Sequence, residues 1–283
     1  MKQIKRKAAC TLFLVACAPV FADVLSFSTG DPDGLIATAS RIPQPGILGI
    51  ESADDFVLSQ SSSTIQSATF TGLLVGAGPF SIQDVNIDLY HVFPVDSDAT
   101  RTPNVITRVN SPADTEFDGR SFSGGQLTFS STVLNPSFTA GNSVLNGIFP
   151  APNQTTGGEG SVTGQEVRFD ITFSTPFTLP AGHFFFVPTV QMTGGEFYWL
   201  SAPRPIVAPG TPFSPDLQSW MRNENLDPDW SRVGADIIGT GAFNASFSLS
   251  GTSVPEPASV GLVAGGALAL LGLRRRRQAR SGE

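Results

Sequence analysis

Carboxylates are the residues of this chain best suited to chemistry. Three D-x-D pairs stand in turn-like context: Asp31-Pro32-Asp33, Asp96-Ser97-Asp98 and Asp227-Pro228-Asp229. Hard cations such as calcium take several oxygen ligands, and acidic turns supply carboxylate and carbonyl oxygens together. Asp31, Asp33, Asp96, Asp98, Asp227 and Asp229 are therefore the candidate calcium ligands. None belongs to an EF-hand. Twelve-residue loops from Asp31, Asp96 and Asp227 would end at Ile42, Thr107 and Ile238, where a bidentate Glu is required. Asp and Pro are also ordinary turn formers, so solvated turns are the competing reading. Apart from calcium, no cofactor is expected.

Paired carboxylates can also hydrolyse glycosides, and Asp84, Glu166 and Asp229 are the candidates for that alternative. Asp84 and Asp88 share a strand face but lie about 13 Å apart along it, too far for a pair within one strand. The two histidines, His91 and His183, have no HExxH or HxH spacing, which argues against zinc. His91 is expected hydrogen-bonded at the rim of the core, and His183 at the start of a strand. There is no GxSxG elbow and no cysteine nucleophile. No catalytic residue is assigned, and a non-enzymatic protein is the expectation.

Three tryptophans, Trp199, Trp220 and Trp230, fall close together, interleaved with Gln218, Arg222, Asn223, Asn225 and Asp229. Aromatic faces beside amides and carboxylates suit the apolar C–H faces and polar rims of sugars, so this cluster is the candidate carbohydrate-binding surface. The alternative is that these large side chains simply fill the core.

The elements that must position these residues read as β throughout. Val85, Ile87, Leu89 and Phe93 alternate with Asp84, Asn86, Asp88 and Tyr90. Val167, Phe169, Ile171 and Phe173 alternate with Glu166, Arg168, Asp170 and Thr172. Phe243, Ala245, Phe247 and Leu249 alternate with Asn244, Ser246, Ser248 and Ser250. Each is a period-two pattern with one buried and one wet face. Residues 64–75, 126–134, 183–192 and 236–249 are further strand candidates, with Phe56, Phe70 and Phe129 as core residues. One short helical turn is expected near 215–222, and a proline-rich loop or edge crossing over 202–215. Short antiparallel strands between Gly/Pro turns predict an all-β single domain, a β-sandwich of jelly-roll type, over residues 23–250. Residues 251–253 read as a linker.

The body is acidic and has no lysine. Between Asp23 and Pro257 there are sixteen Asp and seven Glu against eight Arg. This surface argues against nucleic acid as a partner. Both cysteines, Cys10 and Cys17, precede Asp23, so the body is held by its core without disulfides.

The termini carry addresses. Lys2, Lys5, Arg6 and Lys7 precede an apolar stretch from Ala8 to Ala16, and Val20-Phe21-Ala22 suits cleavage. Residues 1–22 are therefore expected to be a signal peptide cut after Ala22. Leu14-Val15-Ala16-Cys17 also matches a lipoprotein box, in which an acylated Cys17 becomes the first residue. The C-terminal span makes a second anchor redundant, which favours the cut after Ala22. At the other end Pro255-Glu256-Pro257 is followed by an uncharged stretch, 258–273, and by Arg274, Arg275, Arg276 and Arg277. Such a stretch rises about 24 Å as a helix, short for a hydrocarbon core of about 30 Å. The arginines hold their end on the cytoplasmic side. Gly261-Leu262-Val263-Ala264-Gly265 is a GxxxG, which supports close helix contact.

Pro255-Glu256-Pro257, the apolar span and the arginine cluster, in that order over residues 254–283, resemble the PEP-CTERM sorting signal of Gram-negative bacteria. The resemblance covers about a tenth of the chain and lends the body no fold. It implies export through the inner membrane, a transient membrane tether, recognition by an exosortase-type enzyme and delivery to the cell surface. It also implies an association with exopolysaccharide and biofilm. The expected function is thus a non-catalytic surface or matrix protein. The alternatives are a secreted glycan-active enzyme and a calcium-stabilised adhesion module.

Overall fold

The computed structural model describes residues 23–148, 155–203 and 218–254. The expected signal peptide with Ala22, the tag Pro255-Glu256-Pro257, the apolar span and Arg274–Arg277 lie outside those residues, as does most of the proline-rich segment. The compact body is Asp23–Val254.

It is predominantly β. In chain order the strands are β1 (Asp23–Ser28), β2 (Ile36–Ala39), β3 (Ile50–Leu58), β4 (Ser62–Val75) and β5 (Ser81–His91). They continue as β6 (Asp118–Ser121), β7 (Leu127–Ala140), β8 (Asn142–Val144), β9 (Val162–Leu179) and β10 (Gly182–Thr193). The last are β11 (Glu196–Ala202), β12 (Trp220–Asn223), β13 (Ser231–Arg232), β14 (Asn244–Ala245) and β15 (Phe247–Val254). A π-helical turn, Val233–Ile238, is the only helical element among the described residues.

The strands form two sheets and close no barrel. One has nine strands, with the path β1-β15-β4-β11-β2-β8; β9 joins β4, β7 joins β9, and β14 joins β11. The other has six, ordered β13-β12-β3-β10-β5-β6. The pairs are antiparallel except β2 with β8, which run parallel.

Period two explains the main core. Val85, Ile87 and Leu89 of β5 enter one cluster with Phe184 and Phe186 of β10 and Phe56 of β3. The nine-stranded sheet supplies Phe70, Val167, Phe169, Ile171, Phe173, Trp199, Phe247 and Leu249 to that same cluster. Rings interlock within it: Phe70 stacks on Phe169 at 4.7 Å, and Phe186 on Phe247 at 5.0 Å. Phe129 is only partly buried against it. Close approach also needs Gly72, where a Cβ would lie 2.3 Å from the Phe197 ring and from the Tyr198 carbonyl oxygen.

Four local expectations are corrected. Residues 220–222 are strand, not a helical turn, because β12 pairs with β3 on one side and β13 on the other. Asp236 lies in the π-helical turn rather than in a strand. Phe243 precedes β14 and packs against a second apolar cluster outside the main core. Residues 251–253 are not a linker: Gly251, Thr252 and Ser253 of β15 pair with both β1 and β4.

The far face of the six-stranded sheet is covered as well. Ala53, Tyr90, Phe185, Val187 and Trp220 on that face pack with Val92, Ala113 and Trp230 from the connecting segments. The face read from sequence as wet therefore carries a core of its own.

Candidate functional site

The tryptophans are core residues, which corrects the carbohydrate-surface expectation. Trp199 and Trp220 are 0% exposed and Trp230 is 1% exposed, so none offers a ring face to a sugar. Trp199 Nε1 donates to the Ser246 carbonyl at 2.8 Å, and Trp230 Nε1 to the Ala113 carbonyl at 3.0 Å.

The six calcium candidates do not converge, and among the described residues no three His, Cys, Asp or Glu side chains group as a metal site. Asp33 Oδ1 accepts from the Leu35 amide and the Ser201 hydroxyl. Asp31 is exposed. Asp96 Oδ2 meets His91 Nδ1 at 2.5 Å, at the rim where Phe117 stacks on the imidazole. Asp98 Oδ1 accepts the Thr100 hydroxyl and amide, and the Thr100 hydroxyl bond first of all holds its carboxyl below the usual value. Asp227 Oδ1 pairs with Arg222 at 2.9 Å. Asp229 is gripped by both terminal nitrogens of Arg101 and accepts the Asn104 amide at 2.6 Å. Burial alone would raise its carboxyl, but those bonds outweigh it and hold it low.

The three candidates for acid–base work are also apart. Asp84 belongs to the six-stranded sheet and accepts the Val85 and Ser123 amides. Glu166 belongs to the nine-stranded sheet, between Leu73 and Asn135. Burial first, then Asp31, raises its carboxyl. Asp229 is locked to Arg101. The second histidine, His183, stands at the start of β10 with Nε2 2.8 Å from Asp55 Oδ2.

The site the structure does build lies on the far face of the six-stranded sheet. A partly open cavity of about 180 Å³ is floored by Glu51 of β3, Asn86 and Asp88 of β5, Thr189 of β10 and Arg222 of β12. The hairpin between β2 and β3 forms one wall with Ile42 and Pro43, and Asn223 at the end of β12 with Glu224 and Asp227 after it forms another. Both cations on this lining are already engaged. Arg41 pairs with Glu196, and Arg222 pairs with Glu51 and Asp227. Arg222 also donates to the Tyr90 hydroxyl at 2.9 Å, which itself donates to Glu51 Oε1 at 2.7 Å. Burial, then the Glu51 charge, pushes the Tyr90 phenol up, so it stays protonated. Asn86 Oδ1 is buried without a hydrogen-bond partner among the described residues, a condition that costs about 1–3 kcal/mol.

Asp88 completes the floor. It is opposite Gly119 in β6, where a Cβ would lie 2.6 Å from Asp88 Oδ1 and 3.8 Å from Glu116 Oε2. The glycine leaves room for the two carboxyls to meet. Burial, then the charges of Glu116 and Glu51 and the hydrogen bond with Glu116, raise the Asp88 carboxyl well above 3.8; Arg222 opposes this and is outweighed. The folded state thus holds this proton more tightly than the unfolded chain. The stability it contributes is complete below about 3.8 and is lost as pH rises from there through the raised value. Asp88→Asn removes the titration, so the variant should gain on the parent as pH rises from about 4 to 8. Denaturant midpoints across that range measure it. A constant difference between the two proteins would mean that Asp88 is ionised in the fold.

From sequence, Asp88 belongs to a polar outer face and Arg222 is only a neighbour of the tryptophans. The alternation in β5 showed that Asn86 and Asp88 share a face, and it was the available signal. The hairpin and the 223–227 segment that roof this face are invisible to it.

The body is matched by no curated protein and no solved structure. The tail is different. Residues 253–277 match the PEP-CTERM protein-sorting motif. The motif marks an exported protein, sorted by an exosortase-type enzyme in Gram-negative bacteria with membrane transit on the way. The sorting tag follows directly on β15, whose last residue, Val254, pairs with Ser62.

Proposed function

We propose that this chain is a non-catalytic component of the cell surface or extracellular matrix, associated with exopolysaccharide and biofilm. Its two sheets form a β-sandwich of jelly-roll type, delivered by a signal peptide cut after Ala22 and tethered transiently by the 258–273 helix. The observation that carries this reading is the sorting motif at residues 253–277, joined without a spacer to a compact acidic β body. Support for a non-catalytic role comes from the carboxylates. Asp84, Glu166 and Asp229 are dispersed, and Asp88 and Glu116 touch, whereas glycosidase pairs stand about 5–9.5 Å apart.

The basic tail supplies the test. Arginine at the membrane centre is costly, and clusters of it stay on the cytoplasmic side. Changing Arg274–Arg277 to Ser should abolish processing and surface delivery, read by cell fractionation and the size of the chain. Unaltered processing and delivery would overturn the sorting half of the proposal.

A further inference from the structure

We propose that the cavity on the far face of the six-stranded sheet binds a single polyhydroxylated ring of monosaccharide size. Three observations carry this. The first is size: a cavity of about 180 Å³ compares with the 150 Å³ that holds benzene, so one six-membered ring fits with its substituents toward the open side. The second is the lining. Glu51, Glu224 and Asp227 accept, Asn223 and Thr189 both donate and accept, and the two arginines are neutralised by carboxylates. A hydroxyl donates and accepts, so it matches this mixture; an ammonium only donates and a carboxylate only accepts. Ile42 and Pro43 give the C–H face of a ring an apolar wall. The third is Asn86. Asn86 is one of the lining residues and its Oδ1 is buried with no partner among the described residues, so a turn of the amide toward the cavity lets a ligand hydroxyl satisfy a group the fold leaves unsatisfied.

The inference deepens the polysaccharide part of the proposed function and is independent of sorting. It also moves that role away from Trp199, Trp220 and Trp230, which are buried.

The test uses the full-length chain in a detergent with no sugar headgroup. Saturation-transfer NMR is recorded against glucose, galactose, mannose, fucose, rhamnose and xylose in turn, with putrescine and acetate as the donor-only and acceptor-only probes. At least one neutral sugar should give a saturable signal with a dissociation constant in the millimolar range, on the order of −4 kcal/mol. Ile42→Trp fills the wall from a loop position and should weaken that signal by about tenfold or more; Asn86→Leu should do the same by removing the amide. Both variants are checked for an unchanged melting temperature, and Ile42→Trp decides if Asn86→Leu does not fold. No saturation by any of the six sugars, an equal signal in a folded Ile42→Trp variant, or saturation by putrescine or acetate alone would each overturn the site. In all three cases a chain still processed and delivered would leave the sorting reading standing.

Discussion

Trp199→Ala should lower the stability of the body by about 3–5 kcal/mol, the cost of emptying a large aromatic site in a core. The indole is 0% exposed and packs edge-on against Phe186 at 6.1 Å and Phe247 at 5.8 Å. Those rings come from different sheets, so the hole opens in the cluster that both sheets share. Truncation also takes the donor from the Ser246 carbonyl, which accepts Nε1 at 2.8 Å. Collapse cannot close the gap cheaply, because Trp199 pairs with Gly72 and the Phe197 ring already fills the space beside that glycine. For a body of this size the melting temperature should fall by roughly 6–20 °C. Trp199→Phe keeps most of the volume and should cost clearly less. A loss below about 1 kcal/mol for Trp199→Ala in denaturant titration would mean the indole is not packed as described.

The contrast between Trp199 and the carbohydrate expectation shows where the sequence stopped being legible. Strands with one buried face announced themselves: in β5 and β9 the apolar residues that alternate are the ones in the shared core. β12 gave no such signal, because Trp220, Met221 and Arg222 are all buried and a strand covered on both faces has no period of two. Composition misled in β15. Gly251-Thr252-Ser253 looks like a linker, yet backbone pairing to strands on both sides ignores side-chain type, and Ser253 is buried. The acidic turns misled for another reason. Asp229 looks like a calcium ligand in its own segment, but the group that neutralises it is Arg101, 128 positions away. Nothing local encodes such a partner. The cavity was hidden in the same way: its floor comes from four strands and its walls from two connecting segments. The tail was legible because a sorting signal is read as a linear string, with order and spacing doing the work that packing does in the body.

Arg222→Met should be the most damaging single change to the cavity, with a loss of about 3 kcal/mol or more. The side chain is 7% exposed and its guanidinium has five partners: Glu51, the Tyr90 hydroxyl, Asp227, and the Asp114 and Pro228 carbonyls. Its Cζ also lies 4.4 Å from the Trp230 ring centre. Burial works against the charge, but Glu51, Tyr90 and Asp227 together outweigh it, and the cation is held firmly. Methionine keeps much of the volume and apolar contact, so the loss reports mainly the abandoned Glu51 carboxylate and Tyr90 hydroxyl. Glu51 is 25% exposed through the cavity, and the water that reaches it limits the cost. Lysine should not restore the parent, because one ammonium cannot span the fork that Arg222 makes between Glu51 and Tyr90. Adding Glu51→Gln to Arg222→Met removes the orphaned charge and should recover a measurable part of the loss, a coupling read from the double-mutant cycle. Strict additivity of the two changes would mean that Arg222 and Glu51 do not act as a pair. With their pairing would go the reason that the floor of the cavity presents neutralised cations to a ligand.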